Sequence, residues 1–177
     1  MEKKLKLSKL NVAKRQLETA IRLYFNDDDP VSIHTLACAA HGILSDLNKK
    51  YNGNPMMLSD YIISDECKTE WNKKIREPQN FFKHGDNDSV KSIEFTPELT
   101  EYFIFDATSK YQEMTGKIIH YFIIFRGWFA AHNINVFNYS EKNKQFIIEI
   151  VNKYKDNRKL YFSDLLYVSG IYEKYFN

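Results

Sequence analysis

The 177-residue chain has only six Gly and four Pro, too few for a collagen-like repeat or a long flexible linker. Two cysteines, Cys38 and Cys67, lack CxxC spacing and cannot make a disulfide scaffold; they read as small buried thiols in a reducing compartment. Neither charge dominates: 25 Lys+Arg against 23 Asp+Glu leave +2, so no chain-wide field selects nucleic acid or an anionic membrane. Arginine, the better fork for phosphate, occurs only at Arg15, Arg22, Arg76, Arg126 and Arg158. Long hydrophobic runs are missing too. The most apolar stretch, 118–131, contains His120 and Arg126 and is shorter than the roughly 20 residues a membrane helix needs. Met1–Leu10 is basic without the apolar segment of a signal peptide, so a cytoplasmic protein is expected, with no membrane partner. The dinucleotide, P-loop, HExxH and GxSxG motifs do not occur.

What the chain does have is aromatic bulk and helical periodicity. Twelve Tyr, thirteen Phe and two Trp can fill a sizeable core. Leu10, Ala13, Leu17, Ala20, Ile21 and Tyr24 recur at spacings of three and four, which predicts a helix over 8–25. Asp29-Pro30 is a cap followed by proline at the first helical position, opening a second helix over 30–50. Two short helices are expected at 56–63 and from Asp65 onward, with Pro78 interrupting the latter. The pattern resumes over 79–84 and ends at Gly85, and Ser92–Phe95 alternates like a strand with no partner. Thr96-Pro97-Glu98 opens a helix that Gly116 closes; others follow over 117–131, after Ser140, and over 164–175 behind a Ser163 cap. The expected fold is therefore all-α, an antiparallel helical bundle of five to seven helices. The polar seam near 133–139 suggests a bundle domain over 1–135 and a C-terminal helical pair over 136–177, packed on it or extending it.

Three constellations could carry chemistry. His34, Cys38 and His41 fall at i, i+4 and i+7, within about 60° on one helix. They are competent zinc ligands, but no second ligand pair exists elsewhere, so semi-buried histidines beside a small thiol are expected and no metal or other cofactor. In Arg76–Asp86, Asn80 and His84 share a helical face with Lys83 and Asp86 close by. A histidine there can move protons near neutral pH. Alternatively, His84 merely satisfies carbonyls at a helix end while Phe81 and Phe82 plug the core. The third is Arg126 and His132, six positions or about 120° apart around a helix. If they converge, the guanidinium can hold a phosphate while the imidazole moves a proton, a workable RNA-cleaving pair. Otherwise Arg126, in an apolar helix, needs an ion-pair partner such as Asp106 or Glu113.

Two family resemblances rest on these residues. Residues 9–132, through AKRQLETAIRLYFNDDDPVSIHTLACAAHGIL, NFFKHGD and FRGWFAAHN, resemble an uncharacterised family of small bacterial helical proteins. The helical layout with Arg126-x5-His132 also resembles the HEPN superfamily of helical bundles, many members of which are metal-independent RNases acting as dimers through an Arg-x4–6-His motif. That resemblance implies a catalytic Arg126 and His132, with RNA and a second copy as partners. From their place in the chain, Asn80, Lys83 and His84 are expected to line the same cleft, with Asp86 as a further binding residue. The chain departs from the pattern at Gly127, where a polar residue is common, and in placing the motif within an apolar helix. The competing expectation is a non-enzymatic helical module that pairs with itself or another protein through an aromatic face.

Overall fold

A computed structural model describes residues 4–56, 58, 65–84, 92–136, 140–154 and 157–176. Among these residues the chain is all-α, with seven α-helices, one short 3-10 turn and no strand. The first hairpin is α1 (Lys9–Phe25) and α2 (Pro30–Lys50), which form the most extensive helix–helix interface. Both begin on side-chain caps: the Ser8 hydroxyl accepts from the Asn11 amide, and Asp29 accepts from the Ser32 amide at 2.8 Å. Both also end alike. Asp27 (φ 59°) and Asn52 (φ 52°) turn left-handed, and the next amides, Asp28 and Gly53, donate to carbonyls five residues back, the paired bonding that stops a helix.

Helix α3 (Asp65–Lys83) corrects one expectation, because it runs straight through Pro78. Trp71, Ile75, Pro78 and Phe82 are spaced 4-3-4, so the proline lies on the helix's apolar stripe, and it is buried. Burial of that stripe outweighs the amide donor lost at the ring. Of the expected helix at 56–63 only Met56 and Leu58 are described, and the stop at Gly85 lies outside the described residues. Ser92–Phe95 is irregular and delivers the Phe95 ring to His34, centroids 5.0 Å apart. A turn over Thr96–Glu98 then feeds α4 (Leu99–Thr115), ended by Gly116 at φ 65°.

Helix α5 (His120–His132) carries Phe122, Phe125 and Phe129, each essentially without solvent exposure. Helix α6 (Glu141–Tyr154) has the expected Ser140 beside its first turn. Helix α7 spans Arg158–Phe176, so it starts earlier than the Ser163 cap implies. Asn157 is the cap, accepting from the Leu160 amide at 3.0 Å, while the Ser163 hydroxyl donates back to the Leu160 carbonyl. Tyr154, Tyr161 and Phe162 join the same apolar cluster as the first five helices. Phe25 is its hub, stacked on Phe162 at 4.5 Å and edge-on to Phe125 and Trp128.

Helix α4 brings polarity into this core. Asp106 and Lys110 are both buried, and with Glu113 they form a stripe at i, i+4, i+7. Lys110 donates to Glu113 at 2.7 Å and to the Asn54 carbonyl at 2.8 Å, pinning the loop after α2.

Candidate functional site

Arg126 and His132 sit on one helix but engage different neighbours. The Arg126 guanidinium donates to the Gln112 side chain in the last turn of α4, and its Nε is buried without a hydrogen-bond partner. Burial therefore pulls its pKa below the ordinary guanidinium value. The expected ion-pair partners are taken: Asp106 meets His41 at 2.9 Å and Glu113 meets Lys110. A neutral amide partners Arg126 instead.

His132, the last residue of α5, is exposed, and its ring lies 4.0 Å from that of Trp128. Its Nδ1–H donates to the Trp128 carbonyl at 2.9 Å, which fixes the orientation of the ring at the end of α5. Its charge is felt by Glu101 in the first turn of α4. Gln112 and Glu101 are eleven positions apart, about 16 Å of helical rise, so the described geometry does not unite Arg126 with His132.

What surrounds His132 is a different polar set, drawn from four helix ends. The Tyr24 hydroxyl, from α1, donates to Glu101 Oε1 at 2.7 Å and accepts from Trp128 Nε1 at 3.0 Å. The Arg158 guanidinium, from the start of α7, lies 4.4 Å over the Tyr24 ring and ion-pairs with Asp27. Burial raises the Glu101 pKa, opposed by the Tyr24 hydrogen bond and then by the charges of His132 and Arg158. Burial, followed by the Glu101 charge, also raises Tyr24, so its hydroxyl keeps its proton. A carboxyl inclined to take up a proton, an imidazole and a guanidinium thus border one corner.

The residues of the Asn80 segment divide. Asn80 lines a cavity between α2 and α3, whereas Lys83 and His84 are exposed at the end of α3. Phe82 packs edge-on against His34 at 5.7 Å, but Phe81 is exposed rather than a core plug. Asp86 lies outside the described residues.

The His34, Cys38 and His41 stripe is likewise committed to internal partners. His34 is buried between Thr100 Oγ1 at 2.9 Å and Cys38 Sγ at 3.3 Å, and burial pushes its pKa down to about 4. Burial pushes the Cys38 thiol up to about 12. His41 Nε2–H donates to Asp106, whose same oxygen accepts from the Leu58 amide at 3.0 Å. No group of three potential metal ligands occurs among the described residues, and no described helix is long and apolar enough to cross a membrane.

Sequence reading misses Glu101, Arg158 and Tyr24 because they are far apart along the chain and meet only through packing. Asp106 carried a local signal, a lone carboxylate within the apolar run of α4. No family model, curated protein or solved structure matches the chain.

Proposed function

We propose that the chain is an RNA-associated, HEPN-like helical protein that cleaves RNA without a metal, with His132 paired to Glu101 and Arg158 rather than to Arg126. The observation that supports this reading is the meeting of Glu101 and Arg158 at Tyr24, beside the His132 ring on Trp128. Glu101 takes the proton from a ribose 2′-hydroxyl, whose oxygen attacks the adjacent phosphorus. The bond to the 5′-oxygen breaks, His132 Nε2–H protonates that leaving oxygen, and a 2′,3′-cyclic phosphate remains. Arg158 offsets the charge on the non-bridging oxygens, and the exposed face of His132 admits a strand.

The test is cleavage of a fluorogenic RNA, with circular dichroism as the folding control. His132→Ala and Glu101→Gln should each lower the rate by about 100-fold or more. Arg126→Ala should leave the rate close to wild type, since its guanidinium is bonded to Gln112. If Arg126→Ala abolishes cleavage and Glu101→Gln does not, the original spacing motif is the working pair. Failure of the wild type to cleave RNA would overturn the assignment.

One further observation favours the self-association alternative. Leu160, Tyr167 and Val168 are exposed at i, i+7 and i+8 of α7, an outward apolar stripe. Sedimentation of the wild type and of Tyr167→Lys tests it, and a monomer at all concentrations would exclude it.

A further inference from the structure

The cavity between α2 and α3 is separate from the His132 corner and has a volume of about 520 Å³, within the range of small-molecule sites. Gly42 in its wall is the telling residue. A glycine inside a helix costs roughly 1 kcal/mol relative to alanine, and close packing ordinarily explains such a residue. Here a Cβ at Gly42 would meet nothing within 4 Å, so no neighbour requires the missing side chain. What the glycine preserves is open space against a bare stretch of helix.

The remaining wall has two kinds of surface. Met56, Ile75 and Phe103 are buried apolar groups that suit a flat hydrophobic body. At the exposed edge stand Arg76 and Lys49 against the single carboxylate of Asp46, an excess of one positive charge. His41 also lines the cavity; with Nε2–H committed to Asp106, its Nδ1 is left to meet a ligand. One excess positive charge suits a monoanion, whereas a dianionic phosphate would face Asp46 with charge left over.

We propose that this cavity binds a small organic carboxylate with a planar apolar body. The ring lies over the bare backbone at Gly42, the carboxylate is held by the Arg76 fork, and a polar substituent meets His41 Nδ1.

Indole-3-acetate is a suitable probe, followed by calorimetry and by amide chemical shifts. The expected result is saturable binding with shifts at His41, Gly42 and Arg76. Gly42→Leu should weaken binding by about tenfold or more with no loss of thermal stability, because the new side chain fills the cavity. Arg76→Gln should weaken the acid about fivefold or more and leave the weaker indole-3-acetamide unchanged. His132→Ala should bind the probe like the wild type, which separates this site from the RNA-cleaving corner. If Gly42→Leu does not fold, wild-type shift mapping decides: shifts confined to other surfaces overturn the proposal. So do absent binding, an amide bound as tightly as the acid, or a preference for phenyl phosphate.

Discussion

Lowering the pH from 7 to 4 should destabilise the protein through one buried imidazole, His34. The ring is 1% exposed, bonded to Thr100 and Cys38, and edge-on to Phe82, Phe95 and Phe103, with no carboxylate among these partners. Burial holds its folded pKa near 4, while an unfolded histidine titrates near 6.5. Above about pH 7 neither state is protonated and the ring contributes no pH dependence. Between 6.5 and 4 the unfolded chain binds the proton and the folded chain does not, so stability falls as pH falls, with a limiting slope of about 1.4 kcal/mol per pH unit. The loss levels off below pH 4 at about 3 kcal/mol, a large part of the stability of an ordinary domain. Glu101 acts in the opposite sense: its raised carboxyl adds stability at low pH that fades as pH rises through its folded pKa. Urea unfolding of wild type and His34→Gln at half-unit pH steps isolates the histidine contribution, since Glu101 is common to both. The difference between the two curves should change with pH between 6.5 and 4 and be flat above 7. Parallel curves across that window would refute the assignment of a neutral, buried imidazole.

Phe25→Ala should cost about 3–5 kcal/mol in urea unfolding, because the ring joins α1 to α5 and α7. A loss under 1 kcal/mol would mean that α7 is not docked there. Gly53→Ala places a Cβ 2.0 Å from Asn48 Oδ1, so Asn48 must move and surrender its bond to the Asn54 carbonyl. The expected destabilisation is about 1–3 kcal/mol, read as a lower Tm, and an unchanged Tm would contradict the geometry. In a Cys67→Ser background, Cys38 should resist a disulfide reagent at pH 8 until denaturant is added, since both access and thiolate formation are suppressed. Rapid native labelling would show that the thiol is open.

The helices were legible where local chemistry decides them. Ser8, Asp29 and Gly116 mark boundaries that the backbone obeys, and the stripe of α1 from Ala13 to Tyr24 is the one it buries. Pro78 and Ser163 misled for a shared reason: each resembles local punctuation, yet burial of the surrounding face carries the helix through it. The candidate site was legible only in part. His132, His41 and Asn80 could be singled out by residue type, but their partners could not. Glu101 and Arg158 are 57 positions apart and approach Tyr24 only once α4 and α7 pack against α1. Helical spacing likewise relates Arg126 to His132 but is silent about Gln112 on the facing helix.

The charged stripe of α4 has a structural consequence beyond the bonds it makes. Greasy ridges fit a neighbouring helix almost equally well after a shift of one turn, so an apolar interface by itself leaves helix register ambiguous. Asp106 and Lys110 remove that freedom, because a slip of α4 would strand both ions away from His41 and the Asn54 carbonyl. They act as an index pin, selecting one alignment of the bundle from several that hydrophobicity alone would tolerate.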